Sequence, residues 1–332
     1  MAPKYRDTDY LHATARVRAM ENSMLSGKDL RKMIDAKCAE EAYKVLADAV
    51  GQGYALANYE QALNHNLKEA YRLVETIAPN PVIVSIFRYK YDGHNLKTLI
   101  KAKKTAADRT DILSDLGNVS AETVAAELNA ERFEKVNPIL GAAALEALEA
   151  LAKSGDPQQV DLHMDKAVLE AMYQAATEFD NAFLTRFVAA QIDIANLRTA
   201  VRMLRMGKEV FALNRIMVEG GSINLSRISE AYLKGAEELT SLIAASDYGK
   251  YLEPAFAALR GKGSLTLFEK LCDNYLVSLL GNVKTVPFGV EPLIAYLFAK
   301  EAETKAARIV MASKLANVSA QQITERLRDT YA

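Results

Sequence analysis

The sequence predicts an all-α protein of three tandem helical modules, and three observations lead there. Helix formers dominate, and stretches that alternate apolar with polar residues are rare. Residues 165–207 carry apolar side chains at steps of three and four, from Val168 through Phe179 and Phe187 to Leu204. That is the stripe of one very long helix, or of two helices meeting end to end. Finally, an acidic motif recurs. Asp92-Gly-His-Asn95-Leu96-Lys97 returns as Asp193-Ile-Ala-Asn196-Leu197-Arg198 and more loosely as Glu303-Thr-Lys-Ala306-Ala307-Arg308. Self-similarity at long spacing is the mark of a repeated structural unit. The modules are expected at 1–105, 106–208 and 209–332, packed as one body.

Punctuation fits the helices in order. Ser26, Ser120 and Ser319 each precede an apolar position by four residues and read as N-caps; a looser version lies at Leu225-Ser-Arg-Ile228. Pro79 and Pro81 separate two helices. Asn137-Pro138 and Asp156-Pro157 mark turns or helix starts, and Pro254 and Pro292 each suit a first helical turn. Gly220-Gly221 and the pair Gly261 and Gly263 read as loops.

Composition narrows the function. Half of the 332 residues are hydrophobic and the net charge is −1, which fits a sizeable core and gives no footing for nucleic acid. Charge is nonetheless patterned. Residues 88–104 hold Arg88, Lys90, Lys97, Lys101, Lys103 and Lys104 against Asp92, and 186–208 hold Arg186, Arg198, Arg202, Arg205 and Lys208 against Asp193. The intervening 106–161 is acidic. Such patterning orients a partner. Cys38 and Cys272 lack neighbours at metal spacing and, with no secretory signal at the start, are expected to be reduced thiols in the cytoplasm. Apolar runs are too short and charge-broken to span a bilayer, so no direct membrane insertion is expected.

Chemistry-bearing motifs are missing: no phosphate-binding loop, no dinucleotide fingerprint, no nucleophile elbow. His12, His65, His94 and His163 are scattered, so neither a metal nor a cofactor site is expected. His94 becomes Ala195 and Lys305 in the other copies, which makes it incidental. Asp92 and Asn95 share a helix face, whereas Lys97 lies about 140° around from Asp92. Each acid, with its Asn, is therefore expected to meet a group on a neighbouring helix; a solvated polar face is the plain alternative. Asp92, Asn95, Asp193, Asn196, Glu303 and Arg308 are the repeat positions.

Four stretches carry a resemblance: YLHATARVRAME (10–21) with Met24-Leu25-Ser26, KYDGHNLK (90–97), LFEKLCDNYL (267–276) and FGVEPLIAYLFAKEAE (288–303) continuing to Arg308-Ile309. Spanning nearly the whole chain, they make it resemble the C subunits of bacterial and archaeal V/A-type ATPases, relatives of the d subunit of eukaryotic V-ATPases. One departure is local. Ala306-Ala307 stands where the family has Asn-Leu, which is expected to weaken a polar contact.

The resemblance implies a funnel of three similar modules with pseudo-threefold symmetry. It also implies a non-catalytic adaptor in a rotary ATPase, one copy per complex, on the cytoplasmic face of the membrane. Its partners would be the proteolipid rotor ring and the D and F subunits of the central stalk. On that basis Lys97, Lys101, Lys103, Lys104, Arg198, Arg202 and Arg205 are expected contacts for an acidic stalk foot. The loops 220–224 and 287–290, with Phe288, are expected toward the ring. The competing reading is a helical-repeat scaffold for a soluble partner, which would ignore membranes.

Overall fold

The computed structural model describes residues 5–51, 53–105, 109–261 and 263–331. Those residues are helical with short 3₁₀ turns and contain no strand, as expected of an all-α chain. The chain opens with α1 (Leu11–Glu21), α2 (Gly27–Asp35), α3 (Ala39–Val50) and α4 (Tyr59–Ile77). It continues through α5 (Val82–Thr105), α6 (Ala121–Ala130), α7 (Pro138–Ser154), α8 (Gln158–Glu178) and α9 (Ala182–Arg205). Short helices follow: α10 (Val210–Ile216), α11 (Leu225–Lys234), α12 (Ala236–Ala244), α13 (Gly249–Leu252) and α14 (Phe256–Arg260). Last come α15 (Thr266–Gly281), α16 (Glu291–Leu315) and α17 (Ala320–Arg326).

Side chains start these helices where the sequence places caps. Ser26 Oγ accepts the amide of Asp29 at 3.3 Å and Asp29 returns the bond to the Ser26 amide at 3.2 Å, a reciprocal capping box. Ser120 and Ser319 cap α6 and α17 by accepting the Thr123 and Gln322 amides. The looser site is capped by Asn224 rather than a serine; its Oδ1 takes the Ser226 amide at 2.8 Å. The long apolar stripe is two helices. Asp180 turns left-handed at φ 57° and Asn181 caps α9 by accepting the Leu184 amide at 2.9 Å.

The helices form two compact units. One comprises residues 82–246, the other residues 1–81 together with 247–332. In the first, α5 and α7 lie against α8. The α5–α8 approach is close enough that a Cβ on Gly93 would sit 2.3 Å from Val168 Cγ2, so only glycine fits there. In the second, α16 is the spine, contacting α1, α2, α3, α4 and α15. Its Val310 and Met311 share a core with Leu25, Leu30, Met33, Leu46, Leu63 and Ile323. Each such side chain contributes about 1.5–3 kcal/mol on burial. Residues more than 240 positions apart thus stabilise one core.

Candidate functional site

The repeat motif resolves into three buried clamps. Asp92, midway along α5, is 1% exposed. Its Oδ2 accepts Asn118 Nδ2 at 2.8 Å and its Oδ1 accepts the Val119 amide at 3.2 Å. One turn on, the Asn95 amide pairs with both backbone groups of Ser114, donating to its carbonyl and accepting from its N–H, each at 2.8 Å. Acid and amide together fix residues 114–119, the approach to the Ser120 cap of α6. Burial pushes the Asp92 carboxyl above its ordinary value, against the lowering pull of Asn118, Val119 and Arg88.

Asp193 of α9 repeats the arrangement. It accepts the Ser222 amide at 2.7 Å, Ser222 Oγ at 2.6 Å and the Ile223 amide at 3.1 Å. Asn196 pairs with both backbone groups of Val218, at 2.8 and 2.9 Å. The held loop leads to the Asn224 cap of α11. The two loops align without a gap, Ser114 to Ser120 on Val218 to Asn224. In both, a glycine lies against the acid. A Cβ on Gly117 would meet Asp92 Oδ1 at 2.5 Å, and one on Gly221 would meet Asp193 Oδ1 at 2.2 Å.

The third copy differs in its partner and its chemistry. Glu303 of α16, 3% exposed, accepts the Leu25 amide at 2.7 Å, just before the Ser26 cap of α2. The residue five before Leu25 is Met20, in the last turns of α1, and its carbonyl already accepts Ser23 N–H. No extended backbone needs an Asn there, which accounts for Ala306. Glu303 instead pairs with buried Lys300 at 2.5 Å. Around this pair Tyr296 is pushed well above its usual pKa, first by burial and then by Glu303 and Glu21. The acids are thus neither solvated nor aimed at a neighbouring helix's side chains; they grip the segments that lead into the capped starts of α6, α11 and α2.

The basic residues five positions after Asp92 and Glu303 find acids on other helices. Lys97 reaches Asp165 of α8 at 2.5 Å, and Arg308 reaches Glu60 of α4 at 2.8 Å. Lys101 pairs with Asp161 and Lys103 with Glu131, while Lys104 donates to the Leu151 carbonyl at 3.3 Å. Arg198 is half-buried and Arg202 and Arg205 are exposed on α9, each with interactions of its own. Of the two loops, 220–224 is the segment held by Asp193. In the other, Gly289 and Val290 are buried, the Gly289 carbonyl accepts Thr14 Oγ1 at 3.3 Å, and Phe288 is half-buried.

Among the described residues no group of three His, Cys, Asp or Glu is arranged to hold a metal ion. Nor is any helix there long and apolar enough to cross a membrane. His94 is exposed with Nε2 2.8 Å from the Ile112 carbonyl. What the polar groups do chemically is hold loops and join helices, so the fold and its clamps define a helical framework protein. Residues 13–326 match the model of the ATP synthase (C/AC39) subunit family, and the chain belongs to that family. It is similar to the C subunit of the V-type sodium ATPase of Enterococcus hirae, 24% identical over 97% of this chain and 99% of that one. It is also similar to the C subunits of the A-type ATP synthases of Halorubrum lacusprofundi (29%) and Haloferax volcanii (27%), each over 95% of this chain and 96% of the relative. The chain is thus of the accessory, not the catalytic, kind of ATPase subunit.

Sequence reasoning did not reach the glycines at 117 and 221, the backbone pairs of Ser114 and Val218, or Lys300. One signal for the first two was present. Gly117-Asn-Val-Ser120 and Gly221-Ser-Ile-Asn224 match position by position in residue type.

Proposed function

We propose that this chain is the non-catalytic adaptor of a V/A-type rotary ATPase, linking the central stalk to the membrane proteolipid ring and passing torque between them. The observation that carries the reading is the match of residues 13–326 to the ATP synthase (C/AC39) family. In this reading the modules 1–105, 106–208 and 209–332 close into a funnel with pseudo-threefold symmetry. One copy sits on the cytoplasmic face, held by the ring and by the D and F subunits of the stalk. Three buried acids, each holding the segment ahead of a capped helix start, support a repeated unit. They also suit the task, because a part that transmits twist needs its loops tied to its long helices.

The basic faces of α5 and α9 serve the acidic stalk foot in this reading. Lys97, Lys101 and Lys103 would have to exchange Asp165, Asp161 and Glu131 for the partner's acids. That exchange offsets part of what these three lysines contribute to the contact. Phe288 and the loop 220–224 are offered to the ring. The test is affinity purification of the tagged full chain from detergent-solubilised membranes. Co-purification of a proteolipid and a coiled-coil stalk protein is expected. Recovery only in a complex formed without membranes would overturn the adaptor.

A further inference from the structure

The α10–α11 pair carries the most exposed large apolar side chains among the described residues. Phe211 and Leu233 are each 69% exposed, and Met206, at the turn into α10, is 62% exposed. Two hydrogen bonds fix how the helices lie. Tyr232 Oη donates to the Lys208 carbonyl at 2.6 Å, and Ser229 Oγ meets Asn214 Oδ1 at 2.7 Å. As the chain runs from Lys208 into α10 and on to Asn214, α11 runs from Tyr232 back to Ser229, so the helices are antiparallel. At a rise of about 1.5 Å per residue, Phe211 lies about 4.5 Å from the level of the Asn214–Ser229 bond, and Leu233 about 6 Å in the same direction. Leu213 and Tyr232, which point inward, set the opposite side of the seam as the outer one. Phe211 and Leu233 lie at the same end of that outer side, both exposed.

Charge brackets this pair along α10. Arg215 follows Phe211 by four residues on one face of α10, and exposed Lys208 stands just ahead of the helix, two residues before Val210, so the order along the chain reads basic, apolar, basic. Among the described residues neither Lys208 nor Arg215 makes a side-chain ion pair. On α11, Glu230 lies one turn before Leu233. We infer that the α10–α11 seam is a docking groove for an amphipathic helix of a partner protein, whose apolar residues sit on Phe211 and Leu233 and whose acidic residues meet Lys208 and Arg215. A seam between antiparallel helices accepts the ridge of a third. The exposed acids Glu209 and Glu230 disfavour an anionic bilayer as the occupant, but they set the register of a helix.

This inference rests on the chain being part of a larger complex. The test places a photoreactive benzoylphenylalanine at 211 or 233 of the full chain, with position 145 as an exposed control. The assembled complex is irradiated in membranes and the products are mapped by mass spectrometry. Cross-links from both positions are expected on one helical segment with apolar residues three and four apart and Asp or Glu beside them. The double variant Phe211→Ser/Leu233→Ser is expected to keep its melting curve and leave the complex about tenfold faster. Cross-links to lipid, to a second copy of this chain or to a segment without flanking acids overturn the inference. So does a retained chain that is silent at both positions. Failure of the unmodified chain to enter any membrane complex would instead overturn the adaptor reading, and this inference with it.

Discussion

The clamps of the 82–246 unit and the clamp of the other unit do one job by different means. Asp92 and Asp193 are each assisted by an Asn that pairs both backbone groups of one residue in the held loop. Glu303 works without an Asn and leans on a buried lysine. What separates them is the conformation of the held segment. An extended loop leaves backbone groups that must be paired, and the Asn pairs them. Where the segment is already helical, as at Met20, the Asn is superfluous and the cation takes over the charge. A repeated motif therefore keeps the task of its acid and lets the companion residue follow local backbone need.

The largest effect is expected where charge was traded for amide. Glu303→Ala strands Lys300 in the core and frees the Leu25 amide. Removing one partner of a buried pair costs about 3–5 kcal/mol. Glu303→Ala/Lys300→Met should recover much of that in urea unfolding, while Leu25 amide exchange stays fast in both variants. If the double variant is no more stable than the single one, Lys300 is not the partner that matters.

Next come the acids of the other unit. Asp193→Ala loses three donors and is expected to cost about 2–3 kcal/mol. Asp92→Ala loses two donors and escapes the penalty that burial imposes on that carboxyl, so about 1–2 kcal/mol is expected. Equal or reversed losses in the unfolding midpoints would mean that donors and burial do not set the difference between the two clamps.

The Asn positions sharpen the contrast. Asn95→Ala and Asn196→Ala should each lose about 1–2 kcal/mol. Ala306→Asn, which restores the motif, should also destabilise, because a buried amide without a partner costs about 1–3 kcal/mol. A stabilising Ala306→Asn would show that the third site has backbone groups to pair after all.

Much of this was legible in the chain. The all-helical class followed from helix formers and from steps of three and four, and the caps Ser26, Ser120 and Ser319 from hydroxyls ahead of apolar positions. Pro79 and Pro81 marked the break between α4 and α5. The break between α8 and α9 was only one of two readings of the stripe, and its place was not legible. Asp180 adopts its left-handed turn without glycine or proline, and the apolar stripe runs on through it. The clamps were half legible. That Asp92 and Asn95 share a face follows from spacing, but apart from the Asn118 side chain their partners are backbone groups 19 and 27 residues away, and backbone groups carry no sequence identity. The lysines of α5 read as a free basic face because Asp161 and Asp165 come alongside only when α8 folds back along α5.

The smallest effect isolates one carboxyl. The folded-state pKa of Asp92 lies above its unfolded value because burial disfavours the ionised form. The native chain therefore holds that proton more tightly than the unfolded chain. The cost of burying the charge is complete above the folded pKa. It fades as pH falls through that value toward the ordinary carboxylate value of about 3.9. Asp92→Asn has nothing to titrate there, and groups common to both proteins cancel in the difference. The unfolding free energy of the native chain minus that of Asp92→Asn should thus be level above the folded pKa and rise as pH is lowered through it. Urea unfolding of both proteins at a series of pH values measures it. A difference that falls with acidification would mean that the bonds from Asn118 and Val119, which favour the ionised form, outweigh burial at this clamp.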